Sequence, residues 1–295
     1  MFGFKKKIKE EPITEDKVTE DTITEEVDVP VDEVEEAVDE DAKVSENKVE
    51  FDLARALGKT ESGLKNEFYV YQIKELMSKV VKIASPEEFF KGSGEVMATE
   101  LIKYGICEIS VTPFSYQYCK NIEQKIGKHK IKFSAILDYP FGQSSFRARG
   151  AEVRESLKNG LDGITLTVPK TEIFVATASR VKPQLSKLSN ITKNRLGFAI
   201  DADCPTETLK KAFKAVEGIK AAHISLIVDK VFGETLIAAV KTALSLKGNK
   251  NLYVYASTLS IDELSSLIEL KVDKVYLQNA AETAKALSEK FGVEM

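Results

Sequence analysis

The sequence predicts an α/β protein: a TIM-type (β/α)8 barrel preceded by a disordered acidic N-terminal arm. Three observations lead there. Short β-branched runs recur at 108–112, 132–138, 163–168, 195–201, 222–228, 252–256 and 274–278, with starts 22 to 32 residues apart, the length of a strand, a helix and two loops. Between them, apolar residues fall at helical spacing, the stripe a helix needs to cover one face of a sheet. The charge is also split. The 295 residues hold 46 acids and 42 bases, net −4, but residues 1–50 hold 18 of the acids and 7 of the bases, net −11, which leaves +7 for the rest.

The arm, residues 1–60, opens on Phe2 and Phe4 beside Lys5, Lys6, Lys7 and Lys9. A five-residue theme follows: Ile13-Thr14-Glu15-Asp16, Val18-Thr19-Glu20-Asp21 and Ile23-Thr24-Glu25-Glu26. Isolated Val and Ile among so many acids cannot bury enough surface to offset chain entropy, so disorder is expected. Val34, Val38 and Ala42 recur at helical spacing, but the like charge around them opposes a helix. The arm reads either as a solvated spacer or as a tether. In the second case Phe2, Phe4 and the lysines make a weak contact with an anionic membrane surface or a protein partner.

The body, 61–295, adds an earlier strand at 79–84, which makes eight βα units in about 220 residues, the count of a TIM barrel. Thr206 is placed to cap a helix with Leu209, Ala212, Phe213 and Val216 on one face and Gly218 at its end. Leu236, Ala239, Val240, Ala243 and Leu244 repeat the pattern before Gly248, and Ser260 precedes Leu264, Leu267 and Ile268. These stripes are core-facing. An open doubly wound sheet is the alternative, but no GxGxxG follows any strand. In a barrel the chemistry lies at the C-terminal strand ends, here Thr112, Asp138-Tyr139-Pro140, Val168-Pro169, Asp201, Ile227 to Lys230, Ser257-Thr258 and Gln278-Asn279.

Composition narrows the function. Cys107, Cys119 and Cys204 form no CxxC pair, and the histidines are His129 and His223 alone, so neither a zinc site nor a disulfide framework is expected. Asp138, Asp201 and Asp229 stand at strand ends, where single Asp residues commonly form turns, and no metal is assigned to them. No apolar run approaches the roughly 20 residues of a membrane helix, and no apolar stretch follows the lysines as in a secretory signal. A reducing cytoplasm is the expected location. The excess of bases in the body is spread out with no basic-aromatic motif, which argues against nucleic acid.

The segment from Glu108 to Val168 resembles the deoxyribose-phosphate aldolase (DeoC) family, class I aldolases on a TIM barrel. Ile109-Ser110-Val111-Thr112-Pro113 is similar to that family's VCVNP strand, and Ala135-Ile136-Leu137-Asp138-Tyr139-Pro140-Phe141-Gly142 to its TVIGFPLG segment. Ala151-Glu152 followed by Asn159-Gly160-Leu161-Asp162-Gly163-Ile164 mirrors its EA…NGADEI helix and strand. The resemblance covers about 220 residues and weakens in the last third. It implies cleavage of deoxyribose 5-phosphate through a lysine Schiff base, no cofactor, and a small phosphorylated metabolite as partner.

Such chemistry needs an amine nucleophile, a second cation to lower its pKa and a carboxylate to move protons. The resemblance places the acid at Thr165, in Gly163-Ile164-Thr165-Leu166-Thr167, the Schiff-base lysine at Ser225 and the second lysine at Tyr255, where Ala256-Ser257 keep the register. None of these side chains supports an imine. Lys230, five residues past Ser225, is the outside candidate for a relocated amine. Ser257, Thr258, Gln278 and Asn279 occupy the family's phosphate-binding turns, with Asn279 placed to cap the last helix. Two readings follow: a divergent barrel that binds or regulates without Schiff-base activity, or an active aldolase or lyase with relocated catalytic groups. Either is compatible with an oligomer.

Overall fold

The computed structural model describes residues 61–127, 131–175, 178–193 and 195–295, all within one compact unit. The arm, its repeats and the helical spacing at Val34–Ala42 lie outside the described residues. Eight parallel strands close in sequence order: β1 Val80–Ile83, β2 Glu108–Val111, β3 Lys132–Leu137, β4 Gly163–Thr167, β5 Leu196–Asp201, β6 His223–Ile227, β7 Asn251–Ala256 and β8 Lys274–Leu277. The expected early strand is β1, and it bonds both β2 and β8, so no edge is left open.

Helix α1 Glu61–Met77 leads into β1. After the strands come α2 Ser93–Lys103, α3 Tyr116–Ile126, α4 Phe146–Asn159, α5 Lys170–Val175, α6 Ala178–Ile191, α7 Thr206–Val216, α8 Gly233–Leu246, α9 Ile261–Glu269 and α10 Ala280–Phe291. The expected stripes are buried: Leu209, Ala212, Phe213 and Val216 on α7, and Leu236, Val240 and Ala243 on α8. Burial of each large apolar side chain contributes about 1.5–3 kcal/mol. Ser260 forms a capping box on α9: its Oγ accepts the Glu263 N–H at 3.2 Å, and the Glu263 carboxylate accepts the Ser260 N–H at 3.0 Å. Thr206 does not cap α7. It is the first helical residue, because Pro205, extended at φ −56° and ψ 145°, turns the chain one residue earlier. Among the described residues no helix is long and apolar enough to cross a membrane.

Strand alternation sorts side chains into two layers. Ile109, Phe133, Ile164, Phe198, Ile224, Val254 and Val275 belong to the large core shared with the helices. Val81, Tyr276, Tyr255 and Ile227, which are cross-strand partners in turn, pack with Ala199 in a separate cluster on the barrel axis. That inner cluster is where the candidate chemistry stands.

Candidate active site in the barrel interior

Register fixes which side chains point inward. Thr165 pairs with Ile136 and Gly197, Ser225 with Ala199 and Tyr253, and Tyr255 with Ile227 and Tyr276. The barrel therefore brings Thr165, Ser225 and Tyr255 together on its axis, and all three are buried. The Tyr255 hydroxyl donates to Thr165 Oγ1 at 3.3 Å, and Thr165 Oγ1 is hydrogen-bonded to His223 Nε2 at 2.8 Å. The Tyr255 ring stacks on Tyr276 with centroids 4.0 Å apart, and His223 stacks on Tyr253 at 4.2 Å. Tyr276 in turn donates to Glu108 Oε1 at 3.1 Å, while Glu108 Oε2 is ion-paired with Lys274. Polar contacts and stacked rings thus connect His223 to Glu108 through the interior.

The part played by His223, which lies in the run expected as the sixth strand, emerges only from this connection. The inward alternation His223/Ser225, Tyr253/Tyr255 and Lys274/Tyr276 was the available signal.

Burial works against charge here. It pushes His223 down to about 3, with Lys274 adding to the effect, and holds the Tyr255 and Tyr276 phenols above their ordinary range. His223, Tyr255 and Tyr276 are therefore uncharged near pH 7, and Thr165, Ser225 and Tyr255 offer neither a ready base nor an amine. The imidazole shift has a consequence for stability. The unfolded chain binds a proton below about 6.5 that folded His223 refuses until about 3. Stability is therefore intact above pH 6.5 and lost as pH falls through that window. His223→Gln is expected to remove about one proton of that slope, roughly 1.4 kcal/mol per pH unit, read from urea midpoints at pH 4 to 7. An unchanged slope would assign the acid sensitivity to other groups.

At the C-terminal mouth the predicted residues separate. Ser257 donates both its N–H, at 2.8 Å, and its Oγ, at 2.9 Å, to Asp229 Oδ1, and the Tyr139 hydroxyl donates to Asp229 Oδ2. An internal carboxylate thus takes the Ser257 donors, and the β3–α4 loop is tied to the end of β6. Thr258 and Gln278 are exposed. The Gln278 carbonyl accepts from Lys82, a buried lysine of β1 that also pairs with Glu88 at 2.9 Å. Asn279 holds the cap position of α10, but its side chain makes no capping bond and its Oδ1 is buried without a partner. At φ −89° and ψ 31° the residue is neither helical nor in the extended conformation from which a cap side chain reaches the next turn.

The three strand-end acids go separate ways. Asp138 pairs with the buried Arg149 at 2.7 Å, Asp201 pairs with Lys170 at 2.6 Å, and Asp229 is held as described. Gly142, at φ +65°, brings the β3–α4 loop against the Thr167 and Val168 carbonyls, where a Cβ would meet oxygen at 2.9 and 2.8 Å. No group of three metal-ligating side chains forms among the described residues.

Solved structures share this barrel. An aldolase designated QR15 aligns with a TM-score of 0.61 at 16 % identity, over 73 % of this chain and 97 % of its own. The deoxyribose phosphate aldolase of Aeropyrum pernix, a tetramer, aligns with a TM-score of 0.57 at 15 % identity, over 74 % and 92 %. The fold is that of the deoxyribose-phosphate aldolases. No family model and no curated protein matches the sequence.

On this deoxyribose-phosphate-aldolase fold, two lysines besides Lys82 stand near the C-terminal mouth. Lys230 is exposed in the loop past β6. Lys170, which sequence reading did not single out, begins α5. Burial opposes its charge, but the hydrogen bond and charge of Asp201 outweigh burial and raise its pKa. A protonated amine is not a nucleophile, so Lys170 is a structural cation joining β4 to β5.

Proposed function

We propose that the chain is a deoxyribose-phosphate-aldolase-like barrel without Schiff-base chemistry, working as a binding or regulatory protein. One observation carries this reading. Tyr255, at one of the two positions that the resemblance gives to a lysine, carries a buried ring stacked on Tyr276 and a hydroxyl bonded to Thr165, the position it gives to the acid. The Tyr139–Asp229–Ser257 contacts support it, since an anion approaching Ser257 must displace Asp229. In this reading residues 1–60 are the acidic spacer or tether of a cytoplasmic barrel over 61–295. Assembly into an oligomer is part of the proposal, supported by the exposed Phe114, Phe141, Phe174 and Phe232 that follow β2, β3, β4 and β6.

Borohydride reduction with deoxyribose 5-phosphate tests it. The intact mass is expected to stay that of the unmodified chain. A covalent adduct that disappears in Lys230→Ala or Lys170→Ala would establish the alternative, an active aldolase or lyase with a relocated amine.

A further inference from the structure

The opposite end of the barrel holds a cavity that this reading does not use. It opens at the N-terminal mouth with a volume of about 370 Å³, rimmed by Lys132, Arg195, Lys274, Glu108 and Asp162 and floored by His223. We propose that it binds a phosphate dianion, free or as the phosphate group of a small metabolite.

The charges around the cavity are not evenly matched. Glu108 is spent on Lys274 and the Tyr276 hydroxyl. Asp162 Oδ2 accepts the Phe133 N–H at 2.9 Å, fastening the start of β4 to β3. Lys132 and Arg195 have no carboxylate within ion-pair distance among the described residues. They stand at the starts of β3 and β5, on either side of β4, and share the inward phase of Ser134 and Gly197. Between them β4 contributes Gly163, which has no side chain, to the cavity wall. Two cations one strand removed on each side of a bare position form a fork about two strand spacings wide, roughly 10 Å, wide enough to hold one tetrahedral anion between charged side-chain ends.

The floor supports the same assignment. His223 lines the cavity with its Nε2 committed to Thr165 and with the ring uncharged near pH 7. The floor therefore brings no competing charge. A second hollow of about 690 Å³ shares Lys132 and Asp162 and extends the groove outward, which leaves room for the organic part of a phosphomonoester.

Calorimetric titration of the full chain with inorganic phosphate and, separately, glycerol 3-phosphate tests the proposal. Saturable binding of one equivalent is expected, and the tighter of the two identifies the source of the phosphate. Lys132→Gln and Arg195→Gln should each weaken it about tenfold or more, while Ser257→Ala at the other mouth should leave it unchanged. Both cations are exposed, so their replacement leaves the fold intact, checked by circular dichroism. Absence of saturable binding, or binding that survives in both cation variants, overturns the proposal, as does loss in Ser257→Ala alone. A His129→Gln background leaves His223 as the chain's one histidine. Its imidazole resonance should move as phosphate is added, and a resonance that stays fixed to saturation counts against the site.

Discussion

Tyr255→Ala is expected to cost about 3–5 kcal/mol of stability, the range for deleting a large buried aromatic ring. The ring is 1 % exposed and packs on the barrel axis with Val81, Ala199, Ile227 and Tyr276, in a place where no helix can shift inward to refill the space. Closed barrels relax poorly around such a hole because every strand is bonded on both sides. Tyr255→Phe keeps the ring and its stack on Tyr276 but removes the hydroxyl donated to Thr165 at 3.3 Å, so it should lose only about 1 kcal/mol. Urea unfolding of the two variants separates filling from hydrogen bonding. A Tyr255→Ala cost no larger than that of Tyr255→Phe would mean the ring does not plug the interior, and the main support for a barrel without Schiff-base chemistry would go with it.

Gly197→Ala should be nearly as damaging, at about 3 kcal/mol. A Cβ at this position would lie 2.0 Å from His223 Nε2 and 2.3 to 2.4 Å from its ring carbons, closer than any stable contact. The imidazole is held by Thr165 on one side and by stacking on Tyr253 on the other. To make room it must give up both, about 1–3 kcal/mol for stranding the buried Thr165–His223 pair and about 0.5–1.5 for the stack. The backbone at Gly197 is not in the left-handed region, so the cost comes from crowding and not from a forbidden dihedral. The cause is testable by a double-mutant cycle: in a His223→Ala background the same Gly197→Ala change should cost less than about 1 kcal/mol. Equal costs in the two backgrounds would show that the glycine serves something other than the histidine.

The eight strands and the main helical stripes, including the one that Ser260 precedes, were legible in the sequence, because each depends on residues a few positions apart. A β-branched run with a period of two, or a stripe at three and four, is a local property and survives being read in a line. Thr206 shows the limit even of local reading: a hydroxyl in the right place lost the cap to the proline before it. Asn279 is a second case, with the right position and the wrong backbone angles.

What the sequence determined by itself was therefore the class of fold and the order of its elements. The tertiary structure decided what surrounds Thr165, Ser225 and Tyr255, the positions singled out by the resemblance. Closure places Thr165 of β4 beside His223 of β6 and Tyr255 of β7, residues 58 and 90 positions away, and hands the Ser257 donors to Asp229. It also sets Lys132 and Arg195 on either side of Gly163 at the far mouth. These pairings depend on strand register and on shear around the barrel, which are properties of the closed sheet as a whole and leave no trace in the spacing of neighbours along the chain.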